Sequence, residues 1–371
     1  MVISGLSGNE IYCLSLKGMS PGNVIIGNSV YSLGLVGSIG STVRTIAGGE
    51  VTQLTELIAD GRKKALDRLL AECDKEQASG IAGVTSELIF HDGNIEFLSI
   101  GSSVNGSAYK FSASGDGQQL YSQIDAGYQP IKFVFGNVAY SIGVSKGIIG
   151  TIKTAVRGEV KEFTDIFNTT RNLALERIIT EAKQAGANAV VGIDTTILPI
   201  SGMQEMVMIG TASLNPALPP EATGNPASSD LTEQELWNVT NMGLMPMRLL
   251  LGTSVYSLGI KGSMTSFLKS FSRTEIPELT TLIYDAREKS IGKIVEEAKQ
   301  IGADDVVGVK TYVYSLGGSL IEFLAIGTAV KKQPNMKTVS PTLLPQAIIN
   351  DRDTFTNLAE YNFGTNLNRG M

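Results

Sequence analysis

The chain repeats itself three times, and that internal repetition constrains its fold more than any other feature. The segments "NSVYSLG" ending at Gly34, "NVAYSIG" ending at Gly143 and "TSVYSLG" ending at Gly259 fix the frame. Sliding by 109 residues (Gly18 to Gly127) and then by 116 (Gly127 to Gly243) keeps the copies aligned. Pro21, Pro130 and Pro246 coincide, as do Tyr31, Tyr140 and Tyr256, Glu50, Glu159 and Glu275, and Gly83, Gly192 and Gly308. A period of about a hundred residues is a whole small domain, so the expectation is three tandem modules, at 9–104, 118–213 and 234–330, followed by a tail, 331–371.

Each module reads as strand, helix, strand, strand. A turn-like segment around Tyr12, Tyr121 or Trp237 leads to a Gly and a Pro. A strand rich in β-branched and aromatic residues follows ("NVIIGNSVYSL" in the first copy). Gly27, Gly136 and Gly252 lie inside that strand, where glycine marks a bulge or a close backbone approach. Then comes a long helix, clearest from Glu159 to Ala185, where Phe163, Phe167, Ala174, Ile178 and Ala182 keep a three-and-four spacing. It stops at Gly186, or Gly302 in the third copy. Two strands close the module through tight turns at Asp92-Gly93, Ser201-Gly202 and Gly317-Gly318. The fold class is therefore α+β: three tandem β-α-β-β modules, each a small sheet with one long helix on one face. The linker "NGSAYKFSASGDG" reads as flexible and "LNPALPPEATGNPASSD" as extended. A short helix is expected between Gln346 and Phe363.

The second copy's "TRNLALERIITEAKQAGANAVVGI" with "MIGTA", and the third's "AREKSIGKIVEEAKQIGADDVVGV" with "AIGTAV", resemble the YbjQ-like family. In the first copy "EQASGIAGV" replaces the Gly-Ala and Val-Val pairs. The resemblance implies small β-α-β-β domains, labelled heavy-metal-binding, that form ring-shaped homo-oligomers. If those rings are five-membered, three modules do not close one.

Composition narrows the function. A formal net charge of −6, with no basic cluster interleaved with aromatics, argues against nucleic-acid partners. No signal peptide and no membrane-length apolar run is evident, and a cytoplasmic location is expected; peripheral membrane contact has no support. Soft metals need clustered thiolate or imidazole, whereas the sequence has His91, Cys13 and Cys73 alone, none recurring between copies. No metal ligand, cofactor or catalytic residue is therefore assigned. A hydrolytic constellation would have to use His91 at a hairpin tip, and no nucleotide fingerprint is present.

Two charged columns do recur in register. The first is Arg62, Arg171 and Arg287, with Glu96, Glu205 and Glu322 on the closing strand. Arg171 sits inside its helix's apolar stripe, and Glu205 alternates with Val207 and Ile209, so a structural ion pair is expected if that sheet face carries the helix. The second is Arg44, Lys153 and Lys269, on an amphipathic segment before the long helix, a candidate anion-facing set. The reading that results is a non-enzymatic, homo-oligomeric scaffold whose partner is itself. The alternative is a module binding a small anion or metal cation in an oligomer lumen or between modules.

Overall fold

The computed structural model describes residues 1–32, 34, 49–91, 93–141, 158–200, 203–258, 277–317 and 320–343. Module 1 consists of helix α1 (Gly8–Ser15), strand β1 (Ser20–Ser32), the short β2 (Gly49–Glu50), helix α2 (Thr52–Lys75), and strands β3 (Gly80–Ala82), β4 (Glu87–His91) and β5 (Asn94–Asn105). A linker strand, β6 (Phe111–Ser112), leads to module 2: α3 (Gly117–Asp125), β7 (Gln129–Ser141), β8 (Gly158–Glu159), α4 (Lys161–Gln184), β9 (Ala189–Ile200) and β10 (Met203–Leu214). After a second linker strand, β11 (Ala227–Ser228), module 3 has α5 (Glu233–Asn241), β12 (Leu244–Ser257), α6 (Pro277–Gln300), β13 (Asp305–Gly317) and β14 (Leu320–Lys332). The α+β reading with one long helix per module holds.

The segments around Tyr12, Tyr121 and Trp237 are helices rather than turns. Each opens on a capping box: Ser7 with Glu10, Asp116 with Gln119, and Thr232 with Glu235. Side chain and backbone satisfy each other reciprocally there, which lets an eight- or nine-residue helix start cleanly. The linkers also carry structure. Strand β6 pairs in parallel with β3, and β11 with β9, so each linker closes a sheet edge. The opposite edges of β7 and β12 are closed by β2 and β8, which reach over from the preceding module. Most edges of these small sheets are therefore covered within the chain. The two hairpin registers His91 to Asn94 and Ile200 to Met203 agree with two-residue turns, whereas in module 3 Gly317 pairs Leu320, one residue later than expected. The expected helix at 346–363 lies outside the described residues.

The central glycine of each first strand sets how close its helix lies. A Cβ at Gly27, Gly136 or Gly252 would stand 2.1, 2.2 or 2.1 Å from the carbonyl oxygen of Ala65, Ala174 or Ser290. Only glycine allows that approach. On the same face Ser29 Oγ donates to Gly61 O, and Ser254 Oγ donates to Ala286 O.

The other face of each sheet decides the architecture. Phe133, Phe135 and Ile209 of module 2 pack with Leu66, Leu69 and Cys73 of helix α2. In the same way Leu251 and Val255 of module 3 join Leu175 and Ile178 of α4 in one core. Helix α2 is thus sandwiched between sheets 1 and 2, and α4 between sheets 2 and 3. At the ends of this stack, among the described residues, one face of sheet 1 and one face of α6 have no module against them.

Candidate functional site

Two members of the arginine column, Arg62 and Arg171, lie in the sandwiched helices, on the side turned to the next module. Arg62 Nε and Nη2 donate to Glu205 Oε1 and Oε2 at 3.1 and 2.7 Å. Arg171 Nε and Nη2 donate to Glu322 Oε1 and Oε2 at 3.1 and 2.7 Å. The two bidentate pairs are geometrically the same, and all four side chains are fully buried. The expected pairing of each arginine with the glutamate of its own module is therefore corrected. Arg62 does not meet Glu96, nor Arg171 Glu205. The reason is strand alternation: Phe97, beside Glu96, faces its own helix at Gly61, so Glu96 points the opposite way. The face carrying Glu205 does carry a helix, but the preceding module's.

A buried charge pair is tolerable only when its hydrogen bonds are well made. Arg62 adds Nη1 bonds to Ser86 O and Oγ, at 2.8 and 3.0 Å. The Arg171 guanidinium instead lies over the Tyr140 ring, 4.7 Å from its centroid, and 5.4 Å from that of Phe167. Burial works against the Arg171 charge, but Glu322 and Tyr140 hold its pKa above the ordinary guanidinium value. Burial pushes the Tyr140 phenol up as well, and the Tyr314 phenol up to about 12.

A second recurring column escaped the sequence reading. Val51 N donates to Ala139 O at 2.8 Å, and Ala139 N donates to Thr55 Oγ1 at 2.9 Å. One module on, Val160 N donates to Val255 O at 2.8 Å, and Val255 N donates to Thr164 Oγ1 at 2.9 Å. Its signal was the in-register threonines Thr55, Thr164 and Thr280. Around the same junctions Arg177 pairs with Glu50, and Lys289 with Glu159.

Asp125 ties the amino-terminal helices together: it accepts from Lys17 Nζ at 2.6 Å, Trp237 Nε1 at 2.8 Å and Ser340 Oγ at 2.9 Å. Burial raises its pKa, but these donors together outweigh it and the carboxyl titrates below its ordinary value.

Arg287 and Glu96, the two remaining members of the ion-pair set, are not brought together. Arg287 is exposed on α6. Glu96 accepts from Asn28 Nδ2 at 2.9 Å and lies 2.7 Å from His91 Nε2; these two contacts, Asn28 first, lower its pKa. Arg44, Lys153 and Lys269 lie outside the described residues, as does Glu275.

The residues present do not fit a soft-metal site. Burial, reinforced by nearby carboxylates, raises the pKa of Cys13 and Cys73 and so disfavours the thiolate a metal requires. Cys73 Sγ is directed at Gly80 O, and His91 is engaged with Glu96. Among the described residues no three His, Cys, Asp or Glu side chains converge as ligands, and no helix is long and apolar enough to cross a membrane.

Comparison with known proteins follows the same three-part division. The profile of the YbjQ family, described as "Putative heavy-metal-binding", matches at residues 19–105, 126–215 and 244–333. The encapsulin nanocompartment protein Rv1762c of Mycobacterium tuberculosis is 32% identical over 210 residues, covering 52% of this chain and 77% of that protein. A UPF0145 protein of Thermotoga petrophila is 43% identical over 82 residues, 21% of this chain and 76% of its own. One from Helicobacter hepaticus is 35% identical over 97 residues, 25% of this chain and 94% of its own. With a strand-helix-hairpin unit at each matched segment, the chain belongs to the YbjQ family and carries three copies of its domain in tandem.

Proposed function

We propose that this protein is a non-enzymatic, self-assembling scaffold in which each chain contributes three preassembled modules. The observation that carries this reading is the repeated junction. The buried charges of the arginine column are spent on holding one module to the next, and the same contact is built twice with the same distances. A junction of this kind is heterologous, one helix face against a different sheet face, and such contacts propagate into rings or filaments. The similarity to a protein named for an encapsulin nanocompartment supports an assembly role. Two unpaired, buried cysteines fit a cytoplasmic location, where thiols stay reduced.

Negative-stain electron microscopy of the purified chain at micromolar concentration tests the proposal. Discrete particles or filaments containing several chains are expected. Fields of particles no larger than one chain would contradict it. Elemental analysis of the same sample separates the scaffold from a metal-binding module, for which a stoichiometric metal would be found.

A further inference from the structure

The two internal junctions form a template, and the ends of the stack present its two unmatched halves. On the sheet side, the outer face of β1 offers Ile26, Asn28 and Val30 at the register positions of Phe135, Asn137 and Ala139 in module 2 and of Leu251, Thr253 and Val255 in module 3. Ala139 and Val255 are 0% exposed beneath the preceding helix, whereas Val30 is 57% exposed and Ile26 50%. Glu96 stands opposite Val30 across the β1–β5 ladder, as Glu205 stands opposite Ala139 and Glu322 opposite Val255.

On the helix side, Arg62 and Arg171 are 1% and 0% exposed, but their counterpart Arg287 is exposed. Val295 of α6, at the position of Leu70 and Ile179, is 37% exposed, while those two pack in junction cores. The two unmatched halves thus carry opposite charges at the position where each internal junction places its ion pair. Val30 lies open where Ala139 and Val255 are closed, and Val295 is exposed where Leu70 and Ile179 are half-buried.

We infer that the exposed face of α6 docks on the outer face of sheet 1 of a second copy of this chain, with Arg287 of one copy bidentate to Glu96 of the next. This rests on the self-assembly reading and gives it a direction, head to tail. Docking exchanges the Asn28 and His91 contacts of Glu96 for a guanidinium. The Asn28 amide is then free to bond the incoming helix, as Asn137 Nδ2 does when it donates to Thr55 O at 3.2 Å across the first junction. The interface is not self-complementary, so each chain has one donor end and one acceptor end, and chains add in steps of three modules.

Charge reversal tests the pairing directly. Arg287→Glu and Glu96→Arg alter side chains that are not fully buried, so each variant is checked for an unchanged unfolding transition and then weighed by mass photometry. Each single variant is expected to assemble at least ten-fold more weakly than the unaltered chain. Mixing the two singles in equal amounts restores assembly, because each now meets its opposite charge at both ends. A chain carrying both substitutions also assembles alone. If the unaltered chain is oligomeric and both singles assemble equally well, the interface lies elsewhere; the head-to-tail inference falls while the scaffold reading stands. If the unaltered chain is monomeric, the scaffold reading falls and this inference with it.

Discussion

Removing the Arg171 side chain separates pairing between modules from pairing within one. In Arg171→Ala the Glu322 carboxylate stays fully buried. Its one remaining hydrogen bond in the described structure is the 3.5 Å contact from Thr253 Oγ1. Stranding a buried carboxylate in this way costs about 3–5 kcal/mol. Loss of the stacking on Tyr140 and Phe167 adds about 1 kcal/mol. Replacing both charges, Arg171→Met with Glu322→Gln, removes the unpaired charge and recovers most of the loss, so the coupling between the two sites is about 2–3 kcal/mol. The assay is urea unfolding followed by fluorescence of the single tryptophan, Trp237, whose indole donates to Asp125 of the neighbouring module and so reports on the packing of modules 2 and 3. The same cycle on Arg171 with Glu205 is predicted to be additive, because Glu205 is committed to Arg62 on the far face of sheet 2. Strong coupling to Glu205 with none to Glu322, or a cost below about 1 kcal/mol for Arg171→Ala, would refute the cross-module assignment.

Two further outcomes follow from local geometry. Helix α2 ends with Gln77 at φ +57°, where Gly186 and Gly302 serve the equivalent ends at +76° and +72°; Gln77→Gly is therefore expected to raise stability by about 1 kcal/mol in denaturant unfolding. Burial, with a smaller contribution from the Asp116 carboxylate, pushes the Glu233 carboxyl up to about 7. A raised carboxyl pKa means full stability below the unfolded-state value and a loss as pH climbs, here about 3 kcal/mol between about pH 4.5 and 7. Glu233→Gln should flatten that slope in unfolding curves measured across the range, and leave the protein more stable than the unaltered chain at pH 8.

Much of the fold was legible because repetition supplied three readings of each element. The strand glycines, the helix stripe and the hairpins all recur, and each has one structural meaning. The short helices were equally available: Ser7-x-x-Glu10, Asp116-x-x-Gln119 and Thr232-x-x-Glu235 stand in register as capping boxes. The linkers were not legible, since Phe111-Ser112 and Ala227-Ser228 become strands only by meeting a ladder already formed. The partner of each arginine was hidden by the repeat itself. When every module carries the same Arg and the same Glu, pairing within a module and pairing with the next obey one pattern. The deciding clue was parity: Gly136 faces its own helix, whereas Glu205 sits opposite Ala139 on the other face.

In the proposed scaffold the run of equivalent junctions within one chain continues into other copies of it. Size-exclusion chromatography with light scattering, at micromolar concentration and without chelator, measures this most directly. The expected mass is two or more times that of the 39.4 kDa chain, in whole multiples. A single species of 39.4 kDa that persists as the concentration is raised would contradict it.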